Sequence, residues 1–584
     1  MALPDLYRSA RLSIHQAGRT RALLHSPEHG QVLEVDAGVA RLLSLCQGCK
    51  TIEGHAAAIA RTGLAGDVHA VAATLQSLAM SGLLRSCADL LPSGRSSART
   101  DVTPITTVAI ITADRPTVLR RGLASFARHL DAHGRHARLL IVDGSRENDH
   151  QLENRQIAAD LARSGGRTID YAGADEARAL RERLAAAGAS ETMLDFALTP
   201  GSIGANRNLV LLLTAGEHVL MADDDMVCEP WTREAAARGI AVWGHTDPQD
   251  SEFFASRDDA RQAAAWWSGD LLAAHEALLG HPMPELLTSE DPPDLGETCG
   301  HLIATLAEGR RPAVRLTFTG MAGDSGTYCP YSRLFASGPT QARLAASRDV
   351  FERALRTREV LRIASRATLT HDPRCMAGCM GLANQAGVPP FMPVGRNEDG
   401  VFGAMLNALD PLALFAHVPV GVVHDSSRLA AYEDRSMRSA SETRVSELLI
   451  LLTRAAMQGG VDTDPAVRLA RLSGTLTELG RLDAGAFAGH VTRVMLDSRA
   501  QQLARIEAMV SRTTEYPPYW RSSLEEYRRT LVRSLTRPDF FLPSEFQDAA
   551  VVESGFERLR RFLAVFAGLL RTWPDLIRVA GTRA

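Results

Sequence analysis

The middle of the chain alternates short apolar runs with longer amphipathic stretches. Apolar runs of strand length occupy residues 107–112, 138–142, 167–171 and 219–222. Segments of helix length with one apolar face lie between them, at residues 117–132, 151–164 and 175–187. Strands that alternate with helices in this way predict an α/β domain, whose mixed, mostly parallel sheet is flanked by helices.

The last part of the chain has the spacing of helices alone. Apolar positions recur at helical intervals in residues 445–456, 467–479, 491–510, 524–535 and 556–570. We therefore predict a helical accessory domain over residues 428–584, which could join two chains in a homodimer or help to place an acceptor. The cluster Tyr516-Pro517-Pro518-Tyr519-Trp520 interrupts the helices, and we expect it to pack at a helix junction rather than to grip a ligand.

The first 88 residues combine a hairpin pattern with helices. Two short strands are predicted at 23–24 and 31–35 around a turn at 28–30, followed by helices at 38–47, 51–62 and 67–81. The segments 33–36, 40–45, 48–52 and 75–84 resemble PqqD-like domains. That resemblance implies a small winged-helix-like module over residues 1–88, which would pair its sheet edge with the leader of a precursor peptide. A generic winged-helix module used for packing or dimerisation is the alternative.

Residues 89–104, rich in Ser, Pro, Gly and Arg, are predicted to link the first module to a domain spanning 105–427.

Composition bears on the binding partners and the location of the protein. The net charge of −4 gives no electrostatic reason to expect nucleic acid. No stretch approaches the ~20 apolar residues that cross a membrane. The N-terminus lacks the pattern of a secretion signal, so we expect a cytoplasmic protein.

The cysteines give a weaker signal. Cys46 and Cys49 have the spacing of metal ligands, but no second pair lies nearby in that unit, and a zinc site usually needs four ligands. We expect the eight cysteines of the chain to be reduced thiols with structural or incidental roles.

An acidic triplet, Asp223-Asp224-Asp225, ends the apolar run at 219–222. Side chains alternate along an extended segment, so Asp223 and Asp225 are expected on one face, with Asp224 pointing away. Two carboxylates at a strand end suit a hard divalent cation, Mg²⁺ or Mn²⁺, that is shared with the phosphates of a ligand. A solvated acidic turn, or a cap for a following helix, is the alternative.

Polar residues follow the other predicted strands as well. The first strand ends in Thr112-Ala-Asp114-Arg115, the second ends in Asp143-Gly-Ser, and a helical segment with Arg207 precedes the acidic triplet. Because ligands of parallel α/β sheets bind beyond the carboxyl ends of the strands, we expect these side chains to gather at one edge of the sheet.

Together these features resemble the GT-A glycosyltransferases of the family 2-like group, over residues 105–425. The resemblance implies a GT-A-type sheet and a nucleotide-diphospho-sugar donor, with a UDP-sugar expected. The residues that it assigns to the donor are Thr112, Asp114, Arg115, Asp143, Arg207, Asp223 and Asp224. Asp223 and Asp225 would also serve the metal. The second strand departs from the family pattern, since it carries one aspartate where the family commonly has two.

Two acidic residues and a histidine further along complete this candidate site. Glu398-Asp399 resembles the acceptor-side motif of GT-A enzymes, and Asp399, or else Glu398, is expected to accept the acceptor's proton. A favourable helix dipole would also explain acidic residues at this helix start. His424 ends the apolar run at 415–423 and resembles the late histidine that completes the metal shell in that family.

Residues 320–326 include Gly323-Asp-Ser-Gly326, a tetrad also found around the nucleophile of chymotrypsin-like proteases. The surrounding α/β pattern does not fit that class, and Thr327 stands where those proteases have a glycine. We instead expect a flexible loop over the cleft.

The leading hypothesis is a metal-dependent glycosyltransferase that modifies a ribosomally made peptide in natural-product biosynthesis. The family resemblance implies inversion at the anomeric carbon. One alternative is a peptide-binding scaffold whose GT-A-like domain has lost catalysis. Another is a nucleotidyltransferase, although residues 112–121 lack the glycine-rich loop that such enzymes typically carry.

Overall fold

A computed structural model describes most of the chain. The described residues are 5–582 except 11, 27–30, 63–66, 90–101, 234–237, 245–246, 288–292, 296–298, 386, 427, 429–430, 433–441, 459–461, 538 and 548–551. Most of the predicted linker at 89–104 and the predicted turn at 28–30 lie outside these residues.

The first unit is built from short strands and helices. Its elements are β1 (Tyr7–Ser9), β2 (Ser13–Gln16), β3 (Arg21–Ser26), β4 (Gln31–Asp36), α1 (Ala37–Leu45), α2 (Ile52–Ala60), α3 (Val68–Met80) and β5 (Leu84–Ser86). Strands β2, β3 and β4 form an antiparallel sheet, and β1 pairs with β5. Asp36, Thr51 and Asp67 cap the three helices with their side-chain oxygens. The predicted strands and helices of this unit are confirmed.

One large sheet organises the middle of the chain. Its strands are β6 (Ile105–Thr112), β7 (Arg138–Asp143), β8 (Ile169–Ala172), β9 (His218–Asp223), β10 (Met226–Thr232), β11 (Ile240–Val242), β12 (Gln249–Phe253), β13 (Ala265–Trp266), β14 (Asp294–Leu295), β15 (Ala313–Asp324), β16 (Glu359–Ala364), β17 (Ala367–Thr370), β18 (Cys379–Ala383) and β19 (Ala413–His424). Among the described residues they form a 14-stranded sheet with the main order β14-β11-β17-β19-β15-β18-β9-β6-β7-β8. Parallel pairing accounts for the larger share of its paired residues.

Helices cover this sheet. They are α4 (Pro116–Ala132), α5 (Asn148–Gly165), α6 (Ala174–Ala186), α7 (Glu191–Ala197), α8 (Ile203–Leu213), α9 (Arg257–Gln262), α10 (Leu271–Glu276), α11 (Met283–Leu286), α12 (Gly300–Ala307), α13 (Gly338–Ala346), α14 (Arg348–Arg356) and α15 (Glu398–Leu409). Strand β6 pairs in parallel with β7 and β9, and β7 with β8. The predicted mixed α/β fold, with its large sheet flanked by helices, is confirmed.

The prediction of a flexible loop at residues 320–326 is wrong for most of this segment. Residues 320–324 continue the buried strand β15, where Met321 and Ala322 pair with β16 on one side and β19 on the other. Glycine is weakly strand-forming by itself, so the sequence suggested a loop. Here Gly320 instead permits close packing, because a Cβ on it would lie 2.8 Å from Ile363 of β16.

The C-terminal helices are α16 (Val445–Met457), α17 (Pro465–Arg481), α18 (Ala484–Ser511), α19 (Pro518–Ser534) and α20 (Val552–Gly581). Each predicted helical segment matches one of them, and only the segment 524–535 extends one residue past the end of its helix. Leu448 of α16 and Phe566 of α20 belong to the same hydrophobic core as Leu209 and Phe402 of the sheet-covering helices. Trp520 is fully buried at the start of α19 and donates to the Leu334 carbonyl, as the predicted helix-junction role requires.

The first unit meets the large sheet at a seam of thiols. Cys87 donates a hydrogen bond to Cys49 across 2.7 Å, and Cys299, just ahead of α12, also hydrogen-bonds to Cys49. All three are buried, and all eight cysteines are free. A Cβ on Gly300 would lie 1.9 Å from the Gln47 carbonyl oxygen, so glycine is required for this approach. Among the described residues, none of the helices combines the length and the apolarity that a membrane crossing needs.

Candidate active-site cleft

A cleft of about 1060 Å³ opens where several strands end. Thr112 at the end of β6, Asp223 at the end of β9 and His424 at the end of β19 line it, together with Glu398 at the start of α15. The parallel pairing of β6 with β9 brings the first two ends to the same edge. This is the position at which ligands of α/β sheets bind.

The acidic triplet divides its side chains between the cleft and the interior. Strand β9 ends at Asp223, and Asp224 and Asp225 form the turn before β10. Asp223 and Asp225 line the cleft, as the alternation predicted. Asp224 is fully buried and accepts hydrogen bonds from Arg115 and the Thr112 hydroxyl. Burial raises the pKa of Asp224 to about 7, although Arg115 acts against this rise.

This burial corrects the expectation that Asp224 contacts the donor. Its carboxylate holds Arg115 in place and does not face the cleft. Helix α4 lies directly against the triplet because Gly122 has no side chain, and a Cβ there would lie 2.4 Å from the Asp224 carbonyl oxygen.

Asp225 and His424 face each other across the cleft surface. His424 Nε2 lies 3.4 Å from Asp225 Oδ1, and His424 Nδ1 donates to the Asp324 carbonyl oxygen at 2.6 Å. Burial would lower the pKa of His424, but the Asp225 carboxylate and the Asp324 carbonyl outweigh it and raise the pKa to about 9. Burial likewise opposes ionisation of Asp225, yet His424 and Arg115 hold its pKa below the usual value.

Asp225 and His424 form an ion pair in this structure, and a small divalent cation held between them would take the place of the His424 proton. Neighbouring ligands of an octahedral ion with bonds near 2.1 Å lie about 3 Å apart, close to the separation of Asp225 and His424. The hydrogen bond from Nδ1 to the Asp324 carbonyl leaves Nε2 aimed at Asp225. A histidine that binds a metal through one ring nitrogen usually donates its other N–H to such an oxygen. Within the described residues, no group of three or more His, Cys, Asp or Glu side chains is arranged to hold a metal. Mg²⁺ and Mn²⁺ commonly complete such a partial set with water and substrate phosphates.

Arg115 supplies a fixed positive charge beside this pair. It precedes α4 and donates to Asp224 and, at 3.0 Å, to Asp225 Oδ2. Its side chain is still 41% exposed, so part of the guanidinium faces the cleft. The two carboxylates therefore orient an arginine that can contact an anionic ligand.

A second arginine joins the acidic triplet to α15. Arg207 of α8 is buried and lies between Asp223, at 2.7 Å, and Glu398, at 3.2 Å. Burial would lower its pKa, but these two carboxylates raise it above the ordinary value. Glu398 is thus engaged in an ion pair with Arg207.

Asp399 combines a place in the cleft with a raised pKa. It lines the cleft and accepts hydrogen bonds from the Ala377 amide at 3.1 Å and the Gly400 amide at 2.8 Å. Burial, followed by the negative charge of Glu398, raises the pKa of Asp399 to about 6. A carboxylate in this range is ionised at neutral pH and is more basic than a solvated aspartate.

Two predicted donor-binding residues lie outside the cleft lining. Asp143 is buried and accepts hydrogen bonds from the Ser145 amide, Asn154 and the Tyr171 hydroxyl, the last at 2.6 Å. Asp114 accepts from two backbone amides of the loop after β7, at 3.0 and 3.1 Å. Both carboxylates hold loops in place, and their assignment to the nucleoside stays a prediction.

The sequence reasoning missed the support behind His424. Asp324, in the tetrad at 323–326, is fully buried and accepts from Arg358 and Ser426, while its carbonyl fixes the His424 ring. The tetrad drew attention for its likeness to a protease motif, and its charge network could not be read from spacing. Asn206 was also missed; it lines the cleft and donates to the Thr112 carbonyl at 3.2 Å.

No family model matches this chain, and no curated protein matches it.

Proposed function

We propose that the chain is a metal-dependent glycosyltransferase, which moves a sugar from a nucleotide-diphospho-sugar to a peptide acceptor. The observation that carries the proposal is the Asp225–His424 pair, oriented by Asp324 and set beside Arg115 in a cleft large enough for a nucleotide-sugar. The resemblance of residues 105–425 to GT-A enzymes supports the same assignment. The resemblance of residues 1–88 to PqqD-like domains supports a ribosomally made peptide as the acceptor.

The proposed sugar transfer requires groups of the kinds that line the cleft. Asp399 would take the proton of the acceptor hydroxyl or thiol as that atom forms a bond to the anomeric carbon. The bond from this carbon to the diphosphate then breaks, and its electron pair leaves with the nucleoside diphosphate. Arg115 would stabilise the negative charge that develops on the phosphates. A divalent cation at Asp225 and His424 would add Lewis-acid stabilisation of the same leaving group.

Donor hydrolysis tests this function directly. Wild-type protein and Asp225→Asn are incubated with a panel of UDP-sugars, with and without Mn²⁺, and the released nucleotide is quantified. We expect release of a nucleoside diphosphate that depends on both Mn²⁺ and Asp225. Release of pyrophosphate would favour a nucleotidyltransferase. If no donor is hydrolysed and none raises the melting temperature, the catalytic proposal fails and the scaffold alternative gains.

A further inference from the structure

Helix α16 forms one wall of the cleft. Glu447, Ile450, Leu451 and Arg454 all line it, and their spacing of i, i+3, i+4 and i+7 turns one helical face toward the cavity. Arg444, the residue before the helix, lines it too. Since an α-helix rises 1.5 Å per residue, Arg444 and Arg454 are separated by about 15 Å along the axis.

The acidic groups on this wall are already paired. Arg499 binds both carboxylate oxygens of Glu447, at 2.5 and 2.7 Å, and is itself only 6% exposed. Glu442 lies 3.6 Å from Arg444. The guanidinium of Arg444 also lies over the ring of Tyr328, 4.2 Å from its centroid, which holds the arginine at the cleft rim. These pairings leave the wall with excess positive charge.

Three arginines of the cleft, one of them on this wall, are less compensated. Arg396, Arg428 and Arg454 line the cavity, and none of them forms an ion pair with another residue of the described part of the chain. Burial lowers the pKa of Arg428; Asp324 opposes this, while the positive charges of Arg358 and Arg396 add to it. An anionic ligand would relieve the repulsion between these guanidinium groups.

The apolar residues of the wall lie between its charged ends. Ile450 and Leu451 are partly exposed and lie between Arg444 and Arg454 along α16. A diphosphate is too short to reach both arginines, and Arg115 already serves the neighbourhood of the acidic triplet. An extended peptide advances about 3.3–3.6 Å per residue, so 15 Å corresponds to about four residues.

We propose that α16 binds the acceptor as an extended peptide, with acidic side chains near Arg444 and Arg454 and an apolar side chain between them on Ile450 and Leu451. This inference deepens the proposed function, and it rests on that function in calling the bound peptide the acceptor. The binding itself does not depend on catalysis. Acidic residues flanking an apolar one, about four positions apart, are the feature that the wall would select.

Fluorescence anisotropy of labelled peptides tests the proposal without any donor. One probe carries two glutamates about four residues apart around leucines, and its match carries glutamines in place of the glutamates. Wild-type protein should bind the glutamate peptide more tightly at low salt. Arg454→Gln and Arg444→Gln should each weaken it about two- to fivefold, as expected for one partly exposed ion pair. Arg493→Gln, an exposed arginine of α18 outside the cleft, should leave binding unchanged.

The double variant and a charge reversal give the sharpest outcomes. Arg444→Gln/Arg454→Gln should lose the preference for glutamate over glutamine, and Arg454→Glu should favour a peptide with lysine at the matching position. The proposal is overturned if the double variant keeps the wild-type preference while melting normally. It is also overturned if Arg454→Gln weakens UDP binding in the presence of Mn²⁺ but not peptide binding, since the arginines would then serve the donor. Donor hydrolysis, measured separately, shows whether the proposed function fails independently.

Discussion

His424 Nε2 lies 3.4 Å from Asp225 Oδ1 because the strand that follows Asp225 pairs with the strand that His424 ends. In the antiparallel ladder of β10 and β19, Met226 is directly opposite His424, so the preceding residue comes to the histidine ring. The contact is therefore a property of the sheet register, and it would survive conservative changes elsewhere in the cleft.

Asp225→Asn and His424→Asn should each weaken Mn²⁺ binding at least about tenfold, since each removes one of the two proposed protein ligands. The measurement is the rise in melting temperature with Mn²⁺ concentration, taken relative to each variant without the ion. Asp497→Asn, an exposed residue of α18, is the control and should respond like wild type. An unchanged Mn²⁺ response in Asp225→Asn would place the cation elsewhere.

Asp399→Asn should lower the rate of sugar transfer by about 10²–10⁴, while leaving donor binding intact. Because only the ionised carboxylate accepts a proton, and burial raises its pKa to about 6, the wild-type rate should fall as the pH drops below about 6. Glu398→Gln is the matched comparison, since Glu398 is tied to Arg207. A larger loss in Glu398→Gln, with the acid limb kept in Asp399→Asn, would reverse the two roles.

Arg207→Met should destabilise the fold by about 3–5 kcal/mol, because it leaves the buried Glu398 and the partly exposed Asp223 without their shared cation. Urea unfolding measures the change. Arg481→Met removes an exposed pair with Glu478 and should change stability by less than about 0.5 kcal/mol. Equal effects of the two substitutions would mean that the Arg207 bridge adds little to stability.

His275 should make the fold sensitive to acid. It is fully buried, its Nδ1 shares a hydrogen bond with the Thr317 hydroxyl at 2.7 Å, and burial lowers its pKa to about 3. The unfolded chain takes up the proton near pH 6.5, whereas the folded chain does not, so stability is lost as the pH falls from about 6.5 toward 3. The loss is about 2 kcal/mol at pH 5. Melting curves of His275→Gln should show a shallower decline over this range, and a parallel decline would assign the acid sensitivity to other groups.

The parallel strands β6 to β9 were predictable because their signals are local. Strands β6, β7 and β9 are apolar runs, and each helix between the predicted strands carries one apolar face, as α4 and α5 show. The antiparallel strands β12, β16 and β18 were missed, since they are stabilised by partners distant in sequence. Pairing of that kind leaves little trace in a single segment.

The candidate site likewise contains residues that the sequence indicated and residues that only the structure shows. Asp223, Asp225 and His424 follow apolar runs, and this position indicated them, together with the GT-A resemblance in the case of His424. Asp143 has the same position, but Asn154 and Tyr171 use its oxygens, which only the folded structure reveals. The cleft wall formed by α16 could not be predicted from the sequence either, because it arises from the packing of this helix onto the sheet.

The close approach of Gly300 to the Gln47 carbonyl ties two stretches of the chain that a sequence reader would treat as separable. Cys49 and Cys87 contribute to the same hydrophobic core as Cys299, so removing the first unit would expose apolar residues beside the large sheet to solvent. Transplanting that unit onto another protein, or trimming it away to simplify crystallisation, would therefore require redesigning the surface it leaves behind.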